Sequence, residues 1–144
     1  MKRIIVCTTA IVALVFAASA FAVIKPFKGP ITDCGVTNCG KVRFDAKIRH
    51  HVVKKVDNFI VRQWLTHCDD GNIRITNESG GGFGPMDVHH RHFTGDFGTT
   101  THTHITGAFS KSKKKAHGTV EFTGDVGTHT NCHAGPDKWH AHVF

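Results

Sequence analysis

Lys41-Val42-Arg43-Phe44-Asp45-Ala46-Lys47-Ile48-Arg49 is the stretch whose reading decides the fold. Val42, Phe44, Ala46 and Ile48 alternate with charged residues along its whole length. Successive side chains of a strand leave opposite faces, so a period of two puts the apolar groups on one side and the charges on the other. A helix would scatter the same residues around its circumference. One dry face and one wet face is the signature of an antiparallel strand covering a core.

The sequence to either side keeps this character. Val56 to Thr66 is a second run, with Phe59, Val61 and Leu65 on one face and Ile60, Trp64 and Thr66 on the other. That two-sided pattern predicts a central strand. Cys68-Asp69-Asp70-Gly71 predicts a turn, and Ile73 to Thr76 a short strand. Asn77 to Pro85 reads as a glycine-rich loop, and Met86 to Phe97 as a strand-like run ended by Gly98-Thr99-Thr100-Thr101. His102 to Phe109 and Ala116 to Thr123 flank Ser110 to Lys115, which predicts a hairpin with a basic tip. Val126 to Asp137 reads as loop-rich. Trp139, Ala141 and Val143 then alternate with Lys138, His140 and His142 in a closing strand. Upstream, Val23 to Thr32 carries Pro26, Gly29 and Pro30 and reads as an extended lead-in. Nothing after residue 22 offers a capped amphipathic helix. The expected fold is all-β: a single antiparallel β-sandwich, or small barrel, of about seven or eight strands over residues 40–144, with a lead-in and short Cys loop over 23–39.

Residues 1–22 read as an export signal. Lys2 and Arg3 precede an apolar run from Ile4 to Ala18, and Ala18-Ser19-Ala20 and Ala20-Phe21-Ala22 are small-x-small cleavage signals. The run is short for a membrane span. The expectation is a secreted protein with no membrane span after cleavage. Losing Lys2 and Arg3 lowers the formal charge from +7 to +5, a mildly basic balance. All 13 histidines lie beyond the signal, so the chain is histidine-rich. Imidazole gains charge as pH falls from 7 to 5, and acid should alter this surface strongly.

Four cysteines remain after cleavage: Cys34, Cys39, Cys68 and Cys132. An even count in a small exported domain reads as disulfides. Three pairings exist, and Cys34–Cys39 with Cys68–Cys132 is favoured. Asp33-Cys34-Gly35 and Asn38-Cys39-Gly40 flank a loop short enough to close on itself. A thiolate metal knuckle at Cys34-x4-Cys39 is the rival reading, and it lacks a second close pair.

Several segments carry a resemblance. These are Val56-Asp57-Asn58-Phe59 running into Cys68, Ile105-Thr106-Gly107-Ala108-Phe109, Ala116-His117-Gly118-Thr119-Val120, and Cys132-His133-Ala134-Gly135-Pro136-Asp137-Lys138-Trp139-His140-Ala141. Over residues 40–144 the chain resembles a group of small secreted β-sandwich proteins that end in a cysteine, a turn and Trp-x-Ala. The resemblance implies a sandwich with Cys68 bridged to Cys132 and Trp139 packed nearby. Cys34, Cys39 and the histidine load depart from that pattern, and the group brings no established activity with it.

No Gly-x-Ser-x-Gly elbow, His-Glu-x-x-His helix or phosphate-binding glycine loop occurs. A non-catalytic binding or structural protein is therefore expected, its ligand not named by the sequence. Two site hypotheses accompany it. His102 and His104, and His140 and His142, are i, i+2 pairs whose side chains leave one strand face. If their strands were neighbours, four imidazoles would converge, a set suited to zinc or copper. The plainer reading is two solvent faces and no cofactor. The second hypothesis places an acidic polymer or envelope component on the basic tip Lys111, Lys113, Lys114 and Lys115. Its plainer reading is a solvated loop that deters edge pairing. Specific nucleic-acid binding is not expected, because aromatic residues do not interleave with the basic clusters.

Overall fold

The computed structural model describes residues 21–77 and 81–144. The export signal, apart from its last two residues, lies outside the described residues. So do Glu78 and Ser79 of Asn77-Glu78-Ser79, a glycosylation acceptor by sequence.

The described residues are all-β, as expected. Among them ten strands follow in order: β1 Val23–Thr32, β2 Lys41–Arg49, β3 Val52–Arg62, β4 Trp64–Cys68, β5 Gly71–Ile75, β6 Met86–Asp87, β7 His92–Phe97, β8 His102–Phe109, β9 Lys115–Val126 and β10 His129–Val143. Eight form one antiparallel path, β6-β3-β2-β1-β10-β9-β8-β7. The β4–β5 hairpin branches from it, with β4 pairing with β10 at His67 and His133. The path curls into a nearly closed barrel, the smaller of the two architectures expected. Its ends meet where β6 runs into β7 through residues 88–91. His89 and His92 exchange both backbone hydrogen bonds there, at 2.9 and 2.8 Å. Side chains finish the closure: Phe83 stacks on Phe97 with centroids 5.1 Å apart.

The alternation of β2 holds over most of its length, with Val42, Phe44 and Ala46 buried, Ile48 half-buried, and Lys41 and Arg43 exposed. Phe44 is the hub of an aromatic layer. It stacks on Phe27 at 5.1 Å and on Phe59 at 5.4 Å, and meets Trp139 edge to face at 5.6 Å. Phe93 and Phe109 fill the rest of the section. Room for these rings comes from paired strand glycines. A Cβ on Gly107 would sit 2.2 Å from Phe93, and one on Gly118 would sit 2.7 Å from Trp139. The barrel interior is thus packed across its middle rather than open.

Three segments differ from their sequence reading. The lead-in is β1, hydrogen-bonded between β2 and β10, so the sheet runs unbroken across residue 40. Pro26 and Pro30 pair with Asp45 and Lys41 of β2, and the ladder with β10 is interrupted at Pro30. The 56–66 run is two strands. Gln63 takes a left-handed φ of 54° and shifts the phase by one residue, so Val61 and Trp64 are both buried and Leu65 is only half-buried. The 126–137 segment belongs mostly to β10, whose pairing with β9 is interrupted by irregularities between His129 and Cys132 and between Ala134 and Asp137. Those interruptions erased the strand period from the sequence.

Candidate functional site

Beyond the aromatic layer, one end of the barrel holds a cavity of about 380 Å³. Its walls are aromatic and aliphatic: Trp64, Phe83, Phe97 and Phe122, with Val61 and Ile75 beside them. The β4–β5 hairpin supplies Trp64 and Ile75, because the turn at Gln63 leads the chain off β3 and across the barrel end. Trp64 meets Phe122 edge to face at 6.5 Å. Phe83 is held by its own backbone, which exchanges two 2.8 Å hydrogen bonds with Phe59. Asn77 extends the same wall. Its Oδ1 accepts from the Val61 N–H at 2.7 Å, and its Nδ2 donates to the Phe59 carbonyl at 3.2 Å.

A buried polar pair fixes the tryptophan. Trp64 Nε1 donates to Asp137 Oδ2 at 2.7 Å, with Trp64 fully buried and Asp137 nearly so. Burial pushes the Asp137 carboxyl above the ordinary aspartate value, while the Trp64 N–H and the charge of His67 oppose that shift. Both disulfides form as favoured, Cys34–Cys39 and Cys68–Cys132. The second pins the end of β4 to β10 and so holds a cavity wall in place. Asn131 Nδ2 donates to Asp69 Oδ2 at 2.6 Å, and His129 Nδ1 lies 2.8 Å from Asp70 Oδ2, tying the hairpin turn to the same strand.

The four histidines named from spacing do not converge. β9 lies between β8 and β10. His104 is paired across β9 with Glu121, whereas His140 is paired with His117, four residues further along. His102 and His104 instead share Asp96, with His104 Nδ1 at 2.6 Å and His102 Nε2 at 3.6 Å from its Oδ1. His140 faces His117 with ring centroids 6.5 Å apart, and His142 lies opposite Lys28 and Lys115. Among the described residues, no group of three or more His, Cys, Asp or Glu is arranged to hold a metal ion.

The basic tip is real but divided. Lys111 and Lys114 are exposed on the turn between β8 and β9. Lys113 folds back so that its Nζ donates to the His51 carbonyl. Lys115 already belongs to β9. Phe83, Phe97 and Asp137 escaped the sequence reading. Phe83 was a lone aromatic among glycines, and that was its only signal. Asp137 carried none, since its burial depends on the irregular course of β10.

No family model, curated protein or solved structure matches the chain. Among the described residues no helix is long and apolar enough to cross a membrane.

Proposed function

We propose that this is a secreted, non-catalytic binding protein that holds a small, largely apolar ligand in the cavity at the end of its barrel. Two disulfides and the leader-like first 22 residues support an oxidising, extracytoplasmic setting. The observation that carries the binding role is the aromatic lining of a cavity of about 380 Å³. Apolar cavities with a few polar groups in the mouths of small barrels are ligand sites by default. This volume equals on the order of a dozen water molecules, which suits a ligand of two or three rings. At about 0.5 kcal/mol per non-hydrogen atom, a dozen atoms give roughly 6 kcal/mol, a Kd of tens of micromolar.

Tryptophan emission tests this. The chain has two tryptophans and no tyrosine. Both are fully buried, but only Trp64 borders the cavity, Trp139 lying in the aromatic layer. Titration with neutral N-phenylnaphthylamine should quench about half the emission saturably. Val126→Trp, which fills the cavity from its wall, should abolish the probe's own fluorescence gain. A probe that never saturates, or that binds the filled variant equally well, removes the basis of this reading.

A further inference from the structure

The opposite end of the barrel is built from three turns, and every titratable side chain on them is basic. His50-His51 joins β2 to β3, His90-Arg91 joins β6 to β7, and Ser110 to Lys114 joins β8 to β9. The turns are tied together. Lys113 Nζ donates to the His51 carbonyl, and the Phe109 N–H donates to the Arg91 carbonyl at 2.9 Å. Between them lies a depression of about 300 Å³, with Val53 and Val88 in its floor and His51, His90, Arg91 and Lys113 around it.

Backbone conformation singles out the same side chains. His50, His51, His90, Arg91 and Lys113 have φ of 48°, 60°, 48°, 73° and 56°. Glycine or asparagine holds such left-handed positions at least cost. All five carry a base instead, and among the described residues the remaining non-glycine positions with positive φ are Asp33, Asn58, Gln63 and Asn131. Carboxylates are absent from these turns, and Asp87 on nearby β6 is paired with Lys55 at 3.5 Å. Beside the basic rim three aliphatic side chains are exposed. Val23, Ile24 and Val52, at the starts of β1 and β3, are 55%, 57% and 48% exposed. Val23 shares a surface hollow with His51 and Lys113.

We propose that this end docks on an anionic lipid bilayer, its basic rim on the phosphate head groups and Val23, Ile24 and Val52 in the interfacial layer. A hydrated polyanion would account for the bases but not for the exposed aliphatic collar. The two together are what an anionic membrane surface selects. The inference stands apart from the cavity, at the other end of the barrel.

Sedimentation of the purified exported protein with vesicles tests it, using phosphatidylcholine alone and phosphatidylcholine mixed with phosphatidylglycerol. Binding should require phosphatidylglycerol and disappear at high salt. Each lysine or arginine near such a surface is worth about fivefold in partitioning, so Arg91→Gln with Lys113→Gln should lower it about 25-fold. If that pair melts below the parent, Lys111→Gln with Lys114→Gln, both fully on the surface, carries the same expectation. Ile24→Ser with Val52→Ser should weaken vesicle binding and leave retention on a heparin column unchanged. Equal binding to neutral vesicles, no binding to either, or an unaffected glutamine pair overturns the proposal. So does a serine pair that binds vesicles as the parent does, which would mark a site for soluble polyanions.

Discussion

Asp137→Ala is the substitution with the most definite expected outcome. It removes the acceptor 2.7 Å from Trp64 Nε1 in a region closed to water. A buried N–H left without a partner costs about 1–3 kcal/mol. Part of that is returned, because the carboxylate itself is held out of water at a cost, which is why its pKa is raised. The net loss should be about 1–2 kcal/mol, or on the order of 4–8 °C in melting temperature for a domain of this size. Asp137→Asn keeps an oxygen acceptor and drops the charge, so it should lose less than the alanine variant. The pH dependence separates the two effects. With the folded pKa above the unfolded one, the native state binds more protons in the window between them. Stability from this group therefore falls as pH rises through that window, and the asparagine variant lacks the fall. Asp57 works in the other sense: the hydrogen bond from Lys47 holds its carboxyl low, giving stability that is lost on acidification. It is common to parent and variant and cancels in the comparison. Urea unfolding followed by tryptophan emission, at about pH 3.5 to about pH 8, reads both effects. An alanine variant as stable as the parent, or an asparagine variant with the parent's pH slope, would refute the reasoning.

Removing Cys68–Cys132 as a serine pair should cost about 4 kcal/mol from its 64-residue separation, against about 2 kcal/mol for Cys34–Cys39 with its separation of 5. Only the first should also weaken probe binding in the cavity, measured on whatever fraction stays folded. Gly98→Ala places a Cβ 1.8 Å from the Thr101 carbonyl at a φ of 94°, and should destabilise by more than about 1 kcal/mol while weakening the same probe. Gly81→Ala, at a φ of 82° with nothing near its Cβ, isolates the backbone cost and should leave the probe unaffected. Arg91→Gln with Lys113→Gln should change cavity affinity by less than about 0.5 kcal/mol, since the eleven residue steps of β9 separate the ends by roughly 35 Å; isothermal titration checks it.

What the sequence disclosed was the part governed by local period. β2, β8 and the last half of β10 alternate, and each is a strand; Val42, Phe44, Ala46, Trp139 and Ala141 are inside as expected, with Ile48 and Val143 half-buried. The disulfides followed from loop closure and cysteine count. What stayed hidden depends on single residues out of period. Gln63 and Asn58, both left-handed, each shift a strand's phase, so Val56, Phe59, Val61 and Trp64 are buried at spacings of three, two and three. No window of alternation finds such a wall. The histidine pairs were placed on strands correctly, with their side chains outward. Their neighbours were not legible, because which strand lies beside which is decided by the long-range path around the barrel.

The distribution of charge between the two ends argues that the basic end is more than leftover solubility. At the cavity end the carboxylates are consumed in holding loops together. Asp33 is 2.9 Å from Lys138 Nζ, Asp70 is beside His129, and Asp69 and Asp125 both accept from Asn131. The turns at the other end close without carboxylates, through backbone hydrogen bonds, the Ser110 hydroxyl and the Lys113 contact to the His51 carbonyl. Lys113 ties two of these turns together; the other bases take no part in the contacts that close them, yet they too occupy backbone positions where glycine would be less strained. An ordinary soluble surface intersperses both signs of charge. A surface that keeps one sign, accepts backbone strain to do so, and sets exposed aliphatic groups beside it has the composition that contact with an anionic interface favours, while the packed aromatic layer between the ends leaves the cavity free to serve a different ligand.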